Sequence, residues 1–336
     1  MIHVRVIVMK NRRAEFGAMK TLLDSRLLSD ELVPYVEVIR EGGIYDVASW
    51  SNLFKERPLF VDYLRCDVRK YRGHDPEQIQ LIYQLNNNIA LYERKVLGLA
   101  RYANVIPVIS IREGIDKIEP GKAESLIADL RQARNGNAVA VRIENFAGYE
   151  HLLTDCLSAE DYLFYDISEQ RIDTKFFEHI ELRDFGIQAH CGILCSNRSR
   201  DVSNRNYENG CPTVLINCDA SSSYSKYGYE FYGDYGGLKD SLPSKGGNGQ
   251  GCALAVLFDA NINQYRTYVC DDLHRGVEGY SDVITEILND QEILDPDNEC
   301  IALSMIRSMQ KEGKTGNWET WIKITLLRTA QQLNRV

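Results

Sequence analysis

Residues 105–144 read VIPVISIREGIDKIEPGKAESLIADLRQARNGNAVAVRIE, and the order of patterns in this stretch decides the fold. Residues 105–111 are an apolar, largely β-branched run that ends at the charged pair Arg112 and Glu113. After a polar link, Leu126 and Leu130 stand four apart, on one face of a helix. Asn135-Gly136-Asn137 makes a turn, and residues 138–143 form a second apolar run that carries Arg142 and stops at Glu144. Strand, polar turn, helix, turn, strand is one βα unit plus the start of the next.

The same order recurs on both sides. Upstream, residues 4–9, 33–39 and 58–64 read as strands, and Phe16, Met19, Leu23 and Leu27 mark a helical run after the first. Asp75 as N-cap, Pro76 in the first turn and Gln78 three residues on predict one long helix, with Ile82, Leu85, Ile89, Tyr92, Val96 and Leu99 as its buried stripe. Downstream, residues 162–167 and 186–194 are strands six and seven. Two segments compete for the eighth, 213–217 and 230–235, and the second is the better candidate. Six or more βα units in succession imply a mainly parallel sheet covered by helices. Their number and lengths predict a (β/α)8 barrel of the TIM type; the other arrangement of such units is an open doubly wound sheet. Past residue 250 the pattern changes: 253–258 and 264–270 flank a five-residue link and read as a β-hairpin, and helices are expected near 279–290, 299–312 and 317–334. The expected division is a TIM-barrel-like body over 1–240. A glycine-rich loop, the hairpin and the C-terminal helices over 241–336 are expected to pack on the same domain.

Composition bounds the function classes. With 336 residues, 44% apolar and 26% charged, the chain is of globular type. It has 39 basic and 48 acidic side chains, a formal charge of −9, which argues against broad phosphate-backbone binding. No stretch approaches the roughly 20 apolar residues of a membrane span, and residues 1–10 lack the regions of a signal peptide. The nine cysteines are odd in number, scattered, and include no Cys-x-x-Cys. That pattern predicts reduced thiols in a cytoplasmic protein and no structural zinc. The six histidines show no metal-ligand spacing, so a metal could be bound only by carboxylates, and the sequence names no metal or cofactor site.

In a parallel barrel, chemistry gathers where strands end and βα loops begin. Lys10 closes strand one, Glu37 lies near the end of strand two, and Asp62 and Arg65 close strand three. Arg112 and Glu113 follow strand four, Arg142 and Glu144 mark the end of strand five, Asp166 that of strand six, and Asp234 and Tyr235 that of strand eight. A charge in an apolar strand must be paired or solvated, so these groups form either a polar ligand pocket or an ion-pair network plugging the barrel end. As a pocket, Asp62, Glu144, Asp166 and Asp234 are the candidate catalytic acids and bases. Lys10, Glu37, Arg112, Arg142 and Tyr235 would hold the ligand, the cations gripping an anionic group such as phosphate.

Weaker signals surround these. The glycine run 246–251 follows no strand and opens no helix, so it fails as a phosphate loop. His190, Cys191 and Cys195 read as a satisfied histidine and small buried thiols of a strand. Residues 196–206 carry three arginines that suit a solvated loop or a nucleic-acid contact, with Tyr224, Tyr227, Tyr229, Tyr232 and Tyr235 nearby as stacking faces.

Several short motifs in order resemble one family across nearly the whole chain. They are Lys10 followed by Glu15 and Ala18, Pro34-Tyr35-Val36-Glu37-Val38, Phe60-Val61-Asp62, Gly233-Asp234-Tyr235-Gly236, and Gly316-Asn317 with Trp321. They resemble the beta protein family, named after a product of T-even-type bacteriophages and also found widely in bacteria. The sequence departs from that pattern at Leu326-Leu327-Arg328, where the family pattern has histidine-containing residues. The resemblance implies a single-domain, cytoplasmic, barrel-like protein in a phage-defence or phage-encoded context, with Lys10, Glu15, Glu37, Asp62, Asp234 and Tyr235 in a shared site. The family has no established activity, so the resemblance implies no substrate. The leading expectation is therefore a barrel that binds or hydrolyses a phosphorylated or sugar-containing small molecule, a nucleotide included. The competing readings are a scaffold that docks a protein from a neighbouring gene through Tyr265, Tyr268, Tyr280, Trp318 and Trp321, and a nucleic-acid binder or nuclease.

Overall fold

The computed structural model describes residues 5–244, 251–270, 272 and 274–333; most of the glycine run 246–251 lies outside them. The described strands are β1 (Arg5–Lys10), β2 (Leu32–Val38), β3 (Leu59–Tyr63), β4 (Val105–Ile111), β5 (Ala140–Ile143), β6 (Tyr162–Asp166), β7 (His190–Leu194), β8 (Cys211–Thr213), β9 (Phe231–Asp234), β10 (Leu254–Asp259) and β11 (Gln264–Val269). The α-helices are α1 (Arg13–Asp24), α2 (Val47–Phe54), α3 (Gln80–Asn87), α4 (Ile89–Leu97), α5 (Pro120–Ala133), α6 (Phe176–Asp184), α7 (Asp219–Ser223), α8 (Tyr280–Asn289), α9 (Gln291–Leu294), α10 (Ile301–Lys311) and α11 (Trp318–Leu333). Strands β1 to β7 and β9 close into a barrel in that order, with each registered neighbour parallel. This is the (β/α)8 fold expected from the sequence, and 231–234 rather than 213–217 supplies its last strand. No helix among the described residues is long and apolar enough to cross a membrane, and the nine cysteines, all among the described residues, form no disulfide.

By contact the chain forms two units that interleave in sequence. The first is Met1–Asn11, Val33–Ser196 and Asp219–Asp234; the second is Arg12–Leu32, Asn197–Cys218 and Tyr235–Val336. The second unit thus takes two segments from the first 240 residues in addition to the C-terminal part.

In the first unit the barrel strands are buried on both faces; every residue of β2 and β3 is buried, as expected for a parallel sheet under helices. The barrel interior is layered. Phe60 and Phe164 meet edge to face at 4.9 Å, Phe164 and Phe231 at 5.1 Å, and Tyr35 and Phe164 at 5.2 Å. These rings therefore fix which residues point inward, and strand alternation places Glu37, Asp62 and Asp166 two residues further along, on the same face. The long helix expected from Asp75 is not continuous. Asp75 caps a turn, accepting the Glu77 N–H at 3.1 Å. The helical segment is then cut at Asn88, whose extended backbone (φ −144°, ψ 87°) and side chain cap α4 by accepting the Leu91 N–H. Asparagine competes locally for backbone groups, and the apolar stripe runs on across the cut.

The second unit is built on the antiparallel hairpin β10–β11, registered from Leu254↔Val269 to Asp259↔Gln264, with β8 added beside β11. Leu254, Val256, Phe258, Tyr265 and Val269 pack with Tyr207 and Ile216 in its core. Helix α11 lies against β10 and α1. At the position where the sequence departs from the beta protein pattern, Arg328 is 1% exposed and donates to the Phe258 carbonyl at 2.8 Å.

Glycine matters most where β7 meets β9: a Cβ on Gly192 would lie 1.9 Å from the Phe231 ring. That ring is pinned by Phe164, so Gly192→Ala is expected to destabilise the protein by about 1–3 kcal/mol or more through overpacking. Urea denaturation checks this; an unchanged midpoint would show that the ring layer is free to shift.

Candidate functional site

Seven of the sequence-named residues meet at the C-terminal end of the barrel, all within the first unit. Arg142, from β5, is at their centre. Its Nη1 donates to Glu37 Oε1 at 2.7 Å and lies 3.3 Å from Asp62 Oδ2. Its Nε and Nη2 reach Asp166 Oδ2 at 2.8 and 2.6 Å. Lys10 Nζ holds the other oxygen of Glu37 at 2.7 Å. Arg112, just beyond β4, donates through Nε to Glu144 at 2.8 Å, and its Nη2 lies 3.9 Å from Asp166. The Glu113 N–H closes the group by donating to Glu144 Oε2 at 2.8 Å. Depth is graded: Glu37 and Asp62 are 0% exposed, Asp166 4% and Arg112 6%.

The cluster contains four carboxyl groups and three cations. Asp62 is fully buried, and burial, with Glu37 adding to it, raises its pKa despite Arg142 and the Ser110 hydrogen bond. Asp62 Oδ2 accepts from Tyr35 at 2.9 Å and Ser110 at 2.6 Å, while its Oδ1 is buried without a hydrogen-bond partner. Burial also raises the Tyr35 hydroxyl, with Asp62 next in weight, so Tyr35 remains a donor. Glu144 goes the other way: burial alone would raise it, but Arg112 and the Glu113 N–H outweigh that and hold it below its usual range. Tyr35 and Ser110 were not singled out in the sequence. The signal that finds them is alternation, since each stands two residues before a charged residue of the same inward face, Glu37 and Arg112.

The other named residues are not part of this inward-facing set of the first unit. By alternation from the inward-facing Phe231, Asp234 falls on the opposite face of β9, where it accepts from Tyr232 at 2.6 Å. Two residues on from Phe231 stands Gly233, so β9 brings no charge to the cluster. Glu15 is buried on α1 in the second unit and pairs with Arg12; Tyr235 also belongs to that unit. Arg65 ties α3 to the segment after β4, donating to the Leu85 and Asp116 carbonyls at 3.2 and 2.6 Å.

The weaker signals resolve plainly. Burial pushes the Cys191 thiol up to about 12, so it is no nucleophile at neutral pH, while His190 pairs with Glu230 at 2.8 Å near the surface. Arg198 is buried against Tyr207, donating to its hydroxyl at 3.0 Å, and Arg200 lies 3.6 Å from Asp240. Two of the three loop arginines are thus engaged within the second unit. Tyr265, Tyr268, Tyr280 and Trp321 are buried, and Trp321 stacks on Tyr280 at 4.6 Å; of that proposed anchor surface, Trp318 is exposed.

Comparison with protein-family models and with curated proteins finds no match. Among solved structures, the chain is similar to a beta-mannanase from Streptomyces thermolilacinus determined with mannohexaose. The likeness is 12% identity and a TM-score of 0.40, covering 72% of this chain and 81% of that one.

Two outcomes follow from the cluster. Arg142→Met leaves Glu37, Asp62 and Asp166 without their shared guanidinium, and should cost roughly 3–5 kcal/mol of stability in urea denaturation; a loss under 1 kcal/mol would mean the carboxyl groups find other partners. The raised pKa of Asp62 sets a pH dependence. Folding favours its protonated form, so this contribution is fully present below the ordinary carboxyl value of 3.8 and is lost as pH rises through the folded value. Asp62→Asn has no proton to lose there. Its stability relative to the parent should therefore improve from about pH 4 to pH 8, and a pH-independent difference would contradict the assignment.

Proposed function

We propose that the C-terminal end of the barrel binds a phosphorylated or sugar-containing small molecule, with an anionic oxygen of the ligand seated on Arg112. The observation that carries this reading is Arg112 Nη1. It is buried, has no hydrogen-bond partner, and lies 3.8 Å from Glu37 Oε1. A buried donor left unmade costs roughly 1–3 kcal/mol, and a phosphate or carboxylate oxygen is the acceptor that satisfies it best. The position agrees with the face on which barrels of this class carry their ligands.

Hydrolysis is the finer part of the proposal. Asp62 and Glu144 are pushed apart in acidity by their surroundings, the pattern that divides acid and base roles between two carboxyl groups. In this reading Asp62, whose burial favours the protonated form, takes the acid role, and Glu144, which Arg112 holds toward the ionised form, orients a ligand hydroxyl or a water. Lys10, Glu37 and Asp62, which carry the beta protein resemblance, fall in this cluster, and the phage-linked setting belongs to the same proposal.

The test is thermal shift and calorimetry with hexose phosphates and nucleoside monophosphates, each beside its unphosphorylated counterpart. Phosphorylated compounds should raise the melting temperature by mass action. Arg112→Gln should weaken binding about 10- to 100-fold, the value of one charge-assisted hydrogen bond, while Arg112→Lys retains part of it. Equal responses to both members of each pair would remove the anionic oxygen from the proposal, and no response from either set would overturn it.

A further inference from the structure

Outside the cluster, the first unit holds a group of side chains that the barrel-end site does not use. Residues Leu152–Cys156 wind as a π-helix rather than an α-helix. In an α-helix residues five apart point about 140° from each other; the i→i+5 bonding of a π-turn stacks them. His151 and Cys156 are five apart, and Glu124 of α5 faces them. From this geometry we propose that Glu124, His151 and Cys156 form a binding site for a divalent transition metal of the zinc class.

The distances support an ion at the centre of the three. His151 Nδ1 is 3.1 Å from Glu124 Oε1 and 3.8 Å from Cys156 Sγ. Ligand atoms of the three residues all lie within 4.8 Å of one another. Donors arranged tetrahedrally around zinc, with bonds of about 2.0–2.3 Å, stand about 3.4–3.6 Å apart, so the trio closes on an ion by side-chain shifts of about an ångström. Hydrogen bonding alone satisfies less. A proton on Nδ1 serves Glu124, and the ring then offers Sγ no lone pair; a cation between them serves all three.

A second observation concerns the far side of the ring. His151 Nε2 faces Asp155 Oδ2 at 3.5 Å, the carboxylate–histidine–metal arrangement that fixes ring orientation and raises ligand basicity. Thiolate, imidazole and carboxylate together favour zinc over magnesium or calcium. The His151 side chain is 67% exposed, which leaves the fourth position to water. No ligand spacing is visible around this histidine in the sequence, because a separation of five becomes useful only when the backbone makes the π-turn.

The site would cross-link the segments that follow β4 and β5. Those segments are already tied by Tyr149, whose hydroxyl donates to the Ile118 carbonyl at 2.6 Å, and their beginnings carry Arg112 and Glu144. Metal binding would thus brace the loops of the barrel end.

Cobalt(II) titration of the full chain, in the presence of a non-thiol reductant, tests this. One equivalent should bind with a thiolate-to-cobalt charge-transfer band that zinc displaces. Cys156→Ser should abolish the band, His151→Ala should weaken binding at least 100-fold, and Asp155→Asn about 10-fold or more. Circular dichroism of each metal-free variant, all of them changes at or near the surface, confirms that the fold is kept. Absence of the band in the parent protein, or its persistence in Cys156→Ser, would overturn the assignment.

Discussion

Arg142 holds carboxyl groups from three other strands, and the arrangement of the barrel's C-terminal end follows from that. Its guanidinium is 1% exposed, and its partners Glu37, Asp62 and Asp166 come from β2, β3 and β6. An ion in such a place costs several kcal/mol unless it is paired and hydrogen-bonded. The planar fork allows this, with Nε and Nη2 turned to one carboxylate and Nη1 to two others; the point charge of a lysine has no such directions. A plug of apolar side chains would stabilise a barrel at least as well. What the ionic cluster supplies is a set of polar atoms at fixed positions, on the face where this class of barrel meets its ligands.

The location of the charges is a consequence of alternation. On β2, β3 and β6 an aromatic residue points inward and an acidic one follows two residues later: Tyr35 and Glu37, Phe60 and Asp62, Phe164 and Asp166. The rings stack into one layer, and the acids form the next. On β5 the inward residue before Arg142 is Ala140, which faces Val108 and Tyr162 across the sheet. Asp62, above the ring layer, is fully buried, as is Glu37. Its raised pKa follows from its depth.

The barrel is legible in the sequence because parallel strands buried on both faces appear as unbroken apolar runs, and each run is followed by a helical pattern. Lys10, Glu37, Asp62, Arg112, Arg142, Glu144 and Asp166 are legible because a charge inside or directly after such a run is conspicuous. Asp234 is equally conspicuous and yet lies apart. A strand four residues long gives alternation little to work on, and a shift of one residue reverses the face. Glu15 and Tyr235 were joined to the site partly or wholly by resemblance, and neither falls within the barrel unit. Tyr35 and Ser110 carry no formal charge, so nothing in their composition marks them. The break at Asn88 is hidden because Leu85, Ile89 and Tyr92 keep helical spacing across it.

The polar groups occupy one arc of the barrel end. Strands β1 to β6 contribute the charged and hydroxyl groups, whereas β7 and β9 present Gly192, Leu194, Phe231 and Gly233 at the level of the rings and the acids. Those glycines do not open space. The Phe231 ring fills the volume beside Gly192, and Leu194 lies 2.4 Å from where a Cβ on Gly233 would stand. That arc is filled and apolar. On the opposite arc, β4 and β5 are tied by the Ser110↔Arg142 register, by Arg112 on Glu144, and by the Glu113 N–H on the same carboxylate. The groups of the cluster therefore have positions set from several directions at once, and Arg112, its most exposed cation, retains a buried donor with no hydrogen-bond partner.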